Sequence, residues 1–257
     1  MARLRVELLP ALSDNYIYLL HEPDEGVTAV VDPGEAEPVT AALDRHGWRL
    51  DLILCTHHHA DHVGAAAALK AGSGATLVGP AADAHRIPGL DRKVAQGDRV
   101  RLGRETAEVL AVPGHTRGHI AFWFESSEAL FCGDTLFALG CGRLFEGTPQ
   151  QMWTSLSRLR ALPDDMKVYC AHEYTQSNAR FAVTVEADND KLLKRSAAID
   201  AARAKGEATV PSLLGEEKAT NPFLRADVPA VQRAVGLPGG DPVAVFAEVR
   251  HRKDVFR

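Results

Sequence analysis

Three continuous apolar runs constrain this chain most: TAVV at 28–31, LILC at 52–55 and ALFC at 129–132. An uninterrupted run of this length, bounded by turn residues, is the pattern of a strand covered on both faces. Other short β-patterned runs lie at 3–9, 15–21, 75–79, 107–112, 120–125 and 167–171. Helical patterns interrupt them at 36–47, 62–72 and 150–161. Strands that alternate with helices, and in places follow one another like hairpins, predict sheets packed on sheets and clothed by helices. From residue 173 the pattern changes to long helical stretches at 175–205, 228–236 and 241–250, punctuated by Pro and Gly. The expected division is therefore an α/β body over 1–172 and a smaller helical domain over 173–257.

Composition narrows the class. With 257 residues, 46% hydrophobic and 25% charged, the chain can bury a core without disulfide staples, and disordered and fibrous classes are excluded. A net charge of −5 without a basic stripe argues against a nucleic-acid partner. The charge is uneven, however. The last eight residues hold Arg250, Arg252, Lys253 and Arg257 against Asp254, a net of +3, which suits a small anion. The four cysteines form no C-x-x-C pair. Cys55, Cys132 and Cys170 sit inside apolar runs, so buried free thiols are expected. The N-terminus lacks the apolar region of a secretory signal. No stretch approaches the roughly 18 apolar residues of a membrane helix. These features predict a reduced, cytoplasmic protein with no membrane partner, and a monomer is expected.

Chemistry enters through histidine. Seven of the eleven histidines fall in three short segments, THHHADH at 56–62, PGHTRGH at 113–119 and AHEYT at 171–175. A fourth segment, CGDT at 132–135, adds an acid. All four follow apolar β-runs, and loops after strand ends are where layered α/β proteins assemble their sites. In extended chain, alternate residues face opposite sides. His57, His59 and Asp61 can therefore share a side while His58 points away, and His62 begins the next helix and turns back. With His115, Asp134 and His172 this makes seven nitrogen and oxygen donors. Seven exceed one tetrahedral ion. They suit two ions that share a carboxylate and a hydroxide, about 3.5–4 Å apart. The set contains no thiolate and accommodates Zn, Fe or Mn.

The H-x-H-x-D-H segment, followed by a distant His, Asp and His, resembles the metallo-β-lactamase superfamily. The strings LLPALSDNYIYLL, GDTLFALGCGRLFEGT, CAHEYT, TNPFLR and RHRKD together resemble one of its families, glyoxalase II or hydroxyacylglutathione hydrolase, from residue 6 to the end. The resemblance implies a four-layered αββα sandwich with a C-terminal helical domain. It implies two divalent metal ions, with Zn the first expectation and Fe or Mn the alternatives. His57, His59 and His115 would hold the first, Asp61, His62 and His172 the second, and Asp134 both. His58 matches a position that is not a ligand, and His119 a hydrogen-bonding role outside the ligand set. Arg143, Phe145, Tyr174, Arg250 and Lys253 would bind glutathione. Arg143 stands where many members have Lys, and Phe145 where many have Tyr.

The implied reaction is hydrolysis of S-(2-hydroxyacyl)glutathione, chiefly S-D-lactoylglutathione to glutathione and D-lactate, the second step of methylglyoxal detoxification. A hydroxide shared by the metals attacks, with Asp61 and Asp134 as the carboxylates of the catalytic centre. Three other readings are possible. A persulfide dioxygenase would use one iron and a His-His-Asp set. A lactonase or β-lactamase should lack the GCGRLFEGT string and the basic tail. A structural zinc protein is usually Cys-rich.

Overall fold

The protein is described from a computed structural model, over residues 3–256; Arg257 of the basic tail lies outside the described residues. The described residues form two compact units, 3–111 with 118–133, and 112–117 with 134–256.

The first unit is built on β1 (Arg5–Ala11), β2 (Asn15–Glu22), β3 (Val27–Val31), β4 (Leu52–Leu54), β5 (Thr76–Pro80) and β6 (Arg92–Val94), which form one sheet in sequence order. β1, β2 and β3 pair antiparallel; β3 to β6 pair parallel. Parallel neighbours need crossovers, and here these carry α1 (Glu37–His46), α2 (Ala60–Val63) and α3 (Ala66–Ser73). Ile17, Leu19, Val30, Ile53 and Leu77 of the sheet form a core with Val39 and Ala42 of α1 and Ala66 and Leu69 of α3. β7 (Arg99–Leu102), β8 (Glu105–Ala111), β9 (Ile120–Phe124) and β10 (Ala129–Gly133) make an antiparallel meander. The other face of β2 meets this meander, where the Tyr18 and Phe131 rings pack edge to face at 5.5 Å. Every residue of β2 is buried, as a strand covered on both sides requires. The result is the layered α/β sandwich that the apolar runs predict.

The second unit opens with a short hairpin, β11 (Leu136–Phe137) and β12 (Gly140–Cys141), then α4 (Pro149–Arg160) and β13 (Lys167–Cys170), which pairs with β14 (Ser212–Leu213). α5 (Thr175–Val185), α6 (Asp190–Arg203), α7 (Leu214–Thr220), α8 (Pro229–Ala234) and α9 (Pro242–Val255) complete it. Ala179, Ala182, Leu192 and Ile199 close α5 on α6 around Leu139. The hairpin tip is held by buried polar groups. Leu139, at φ 56°, donates its N–H to Glu217 Oε2 at 2.9 Å. The Asn221 amide donates to the Phe137 and Gly140 carbonyls at 3.1 and 3.0 Å. Glu217 and Asn221 are both fully buried. This is the structural work of the TNPFLR string.

Two helical readings divide. The 62–72 pattern becomes α2 and α3, with His62 inside α2 rather than at its start. The Ala65 N–H is diverted to the Pro33 carbonyl at 2.9 Å, which interrupts the ladder. The 175–205 pattern breaks after Val185, where Glu186 leaves helical geometry and pairs with Arg225 at 2.8 Å. Asn189 then caps α6 by accepting the Leu192 N–H. All four cysteines are free and buried, as the sequence reading expects of Cys55, Cys132 and Cys170; Cys141, which it places in a loop, lies in β12. Among the described residues no helix is long and apolar enough to cross a membrane.

Candidate metal centre

In the first unit the histidine segment leaves β4 and enters α2. His57 and His62 are fully buried, while His59 and Asp61 are partly exposed. His57 Nε2 and His59 Nδ1 lie 3.1 Å apart. His62 Nε2 lies 3.3 Å from Asp61 Oδ2. His58 turns the other way, to Asp83 at 3.1 Å. The alternation read from the sequence therefore holds for His57, His58 and His59, while Asp61 lies in α2, where helical geometry and not alternation sets its direction.

The donors are oriented by a residue that sequence reasoning passed over. Asp32 accepts the Thr56 N–H through Oδ1 and the Thr56 hydroxyl through Oδ2, both at 2.7 Å. Its Oδ2 also accepts from His62 Nδ1 at 3.1 Å. A threonine hydroxyl has one proton, and here it goes to Asp32. The contact of 3.0 Å between Thr56 Oγ1 and His57 Nδ1 must then be donated by the imidazole. His57 and His62 thus both carry a proton on Nδ1, which makes each Nε2 an acceptor, the form a metal ligand needs. Asp32, His57 and His62 themselves cluster closely enough to hold an ion. Both Asp32 oxygens already accept hydrogen bonds, so Asp32 acts by orienting the two imidazoles. Asn15 does the same for Asp61, donating to Oδ2 at 3.0 Å. The available signals were the D-P-G turn after TAVV and the Asn closing the LLPALSDN string.

The His119 ring stacks on His57 at 4.5 Å, and its Nδ1 donates to the Ile120 carbonyl at 3.0 Å. Gly133, at φ 48°, is the last residue of β10. A Cβ there would stand 2.4 Å from Thr56 Oγ1 and 2.9 Å from the His119 ring, so only glycine leaves the Thr56 relay undisturbed.

In the second unit His115, Asp134 and His172 are buried together. His115 Nδ1 donates to the Arg143 carbonyl at 2.9 Å, which leaves Nε2 as an acceptor. That nitrogen lies 3.3 Å from Asp134 Oδ2, and His172 Nε2 lies 3.4 Å from Asp134 Oδ1. A bare imidazole nitrogen and a carboxylate oxygen are both acceptors. A cation between them would make each of these approaches favourable. One carboxylate that offers each oxygen to a different imidazole is the shape of a ligand shared by two ions. The donor set, all nitrogen and carboxylate oxygen, fits a first-row divalent metal.

The expected glutathione residues also lie in the second unit. Tyr174, partly exposed, stacks on His172 at 4.7 Å and 4°. Phe145, 63% exposed, sets its ring edge-on to His115 at 5.1 Å. Arg143 is exposed, 3.9 Å from Asp254. Lys253 donates to the carbonyl and hydroxyl of Ser177 at 3.0 and 3.1 Å. Burial, then repulsion from Arg250 and Arg143, lowers its pKa to about 8. Arg250 differs from the picture of a free surface cation. It is 5% exposed, donates to the Cys141 carbonyl at 2.9 Å and to Asp254 at 2.9 Å, and lies over the Phe223 ring. Arg252 pairs with Glu248 and the end of α8.

Comparison with known proteins places this arrangement. The profile of the metallo-β-lactamase superfamily matches residues 12–172, and that of the hydroxyacylglutathione hydrolase C-terminus matches residues 173–256. The hydroxyacylglutathione hydrolase of Methylococcus capsulatus is 61% identical over 254 residues, 99% of each chain. The chain belongs to the hydroxyacylglutathione hydrolase family. Members of this family are thioester hydrolases, so the chain is an enzyme of that class. Among solved structures, the B3 metallo-β-lactamase BLEG-1 superposes with a TM-score of 0.66 at 22% identity over 86% of this chain and 99% of its own, a likeness of fold. TTHA1623, crystallised in a di-iron-bound form, gives a TM-score of 0.60 at 26% identity over 84% and 98%.

Proposed function

We propose that the chain hydrolyses S-(2-hydroxyacyl)glutathione, chiefly S-D-lactoylglutathione, to glutathione and the 2-hydroxy acid at a binuclear metal centre. The observation that carries this reading is Asp134, whose two oxygens each face the Nε2 of a different imidazole, His115 and His172. His57, His59 and His115 would hold one ion, Asp61, His62 and His172 the other, and Asp134 both. Zn is the first expectation, with Fe or Mn as alternatives. Bound, the ions supply acidified water as nucleophile, with a pKa near about 7 in well-studied zinc cases, and positive charge for the developing oxyanion.

The chain's own residues supply the rest. Asp32, Thr56 and Asn15 keep the ligands aimed without spending substrate binding energy on ordering them. No cysteine competes as nucleophile. Burial pushes the Cys141 thiol up to about 11 and the Cys170 thiol to about 12, so neither is a thiolate at neutral pH. The oxygen of water adds to the acyl carbon and the C–S bond breaks. Sulfur leaves as glutathione thiolate, with a free thiol pKa near about 8.5, and needs no general acid. The segment 173–257, with Arg143 and Phe145, binds the glutathione part. Arg143 and Lys253 meet its carboxylates, Phe145 and Tyr174 flank its backbone, and Arg250 holds the helix that carries Lys253.

The test is release of thiol from S-D-lactoylglutathione by purified protein, with elemental analysis in parallel. Two transition-metal ions per chain and metal-dependent turnover are expected, and Asp134→Ala should lower both occupancies together. Saturation at one ion with Asp61→Ala fully active, or equal turnover of thioesters lacking glutathione, would overturn the reading.

A further inference from the structure

His58 sits between two of the donors, and the proposed chemistry gives it no part. The fold does. His58 Nδ1 lies 3.1 Å from Asp83 Oδ2, and Arg86 Nη1 donates to His58 Nε2 at 3.1 Å. Arg86 closes the ring of contacts through Nη2 to Asp83 Oδ1. Guanidinium only donates, so His58 Nε2 is the acceptor and Nδ1–H gives its proton to Asp83. The tautomer is fixed from both sides.

Asp83 is 1% exposed, and a buried carboxylate needs such partners. A second feature builds its cradle. A Cβ on Gly118 would stand 2.3–2.5 Å from the Asp83 carboxylate carbon and oxygens. Gly118 precedes His119, whose ring stacks on His57. The Asp83 cradle therefore touches the donor segment twice, through His58 and through the Gly118–His119 turn that leads into β9.

We infer that His58 and Asp83, with Arg86, are positioning residues that fix the backbone of 57–59 for metal. Strand alternation alone makes His57 and His59 able to share a side. Tying the side chain between them to a buried carboxylate turns that ability into one conformation, with the two nitrogens already 3.1 Å apart. Extended chain that is free to twist would separate them. The inference rests on the reading of His57 and His59 as metal ligands.

The experiment measures Zn²⁺ affinity of the full chain by competition with a chromophoric chelator, for wild type, His58→Ala, Asp83→Ala, the double variant and His58→Asn. Removing an outer partner of a ligand typically costs 10- to 100-fold in metal affinity, and a loss of that size is expected for each single alanine. The double variant should be no weaker than the worse single one, because both remove one interaction. Asn carries an amide N–H near the position of Nδ1, so His58→Asn should recover to within a few-fold of wild type. A purely structural role would lower thermal stability, leave Zn²⁺ affinity unchanged and show no rescue; wild-type affinity in both alanine variants, or additive losses, overturns the inference. If Asp83→Ala does not fold, the Ala and Asn variants at His58 decide it. Wild-type protein that binds none of Zn²⁺, Fe²⁺ and Mn²⁺ overturns both this inference and the proposed function. Tight Zn²⁺ binding without thioester turnover overturns only the function.

Discussion

Asp32 Oδ2 lies 3.1 Å from His62 Nδ1 and 2.7 Å from the Thr56 hydroxyl, so one buried carboxylate oxygen sets two imidazoles. Asp32 has φ 50°, a conformation Asp and Asn tolerate better than most residues. Asp32→Asn keeps the backbone choice and places an amide or a carbonyl where two donors need an anion. It should weaken Zn²⁺ binding by about 10- to 100-fold. Asp32→Ala should also lose stability, by roughly 3–5 kcal/mol, as a broken buried charged network does. Chelator competition and urea unfolding separate the two. Unchanged affinity in Asp32→Asn would remove the orienting role.

The contrast between the donors and Asp32 shows what the sequence could disclose. His57, His59, Asp61 and His62 lie in one short segment, where extended-chain alternation sorts His57 and His59 from His58 and the turn into α2 brings Asp61 and His62. Asp32 reaches them only because β3 and β4 pair in parallel with Val31 opposite Leu54, which sets Asp32 beside the chain entering Thr56. Register between partners 23 residues apart leaves no local pattern. β7 did leave one, since RVRL alternates exposed and buried, but four residues between turns are too few to stand out. The break between α5 and α6 was hidden for the opposite reason. A helical pattern continues through it, and the stop comes from the Glu186 pairing with Arg225. The tail was legible as charge but not as depth. Arg250 and Lys253 share a helix face as their spacing implies, yet one guanidinium is buried against Cys141.

Asn221 tests the hairpin anchor. Its amide serves two buried carbonyls, its Oδ1 accepts the Phe223 N–H, and it contacts Glu217 at 3.0 Å. Leaving a buried polar group unsatisfied costs about 1–3 kcal/mol. Asn221→Ala should therefore destabilise by roughly 2–5 kcal/mol in urea unfolding, since at least two groups are orphaned. A loss under about 0.5 kcal/mol, the size of an ordinary surface change, would refute the anchor.

Arg250 and Lys253 should separate stability from binding. Arg250→Ala orphans the Cys141 carbonyl and removes the cation over Phe223, so a loss of about 1–3 kcal/mol is expected, with KM raised through displacement of α9. Lys253→Ala removes a cation whose burial is already unfavourable. It should leave stability within about 0.5 kcal/mol and raise KM for lactoylglutathione about tenfold or more, with kcat changed less. Equal effects of the two substitutions on unfolding would contradict the assignment of Arg250 as the tie.

Lys253 also predicts the pH dependence. Burial, then Arg250 and Arg143, bring its pKa from the ordinary 10.5 to about 8. Protonation is thus harder in the folded chain than in the unfolded one. The contribution of Lys253 to stability is fully present above pH 10.5, falls as pH drops, and is lost below about pH 8. Binding runs the other way, because only the ammonium attracts a carboxylate. As pH rises through about 8, free enzyme loses the cation and KM for the glutathione thioester should climb, roughly tenfold per pH unit at the limit where only the charged form binds. A bound carboxylate favours the ammonium and moves the midpoint upward, so kcat should stay level where KM rises. Lys253→Met should show a high KM with no inflection near pH 8. Lys253→Arg should keep a low KM into the alkaline range, since guanidinium does not titrate there. KM profiles of the three proteins between pH 6 and about 9.5, at fixed ionic strength because salt screens such pairs, decide the matter. An inflection that survives in Lys253→Met would assign it to another group.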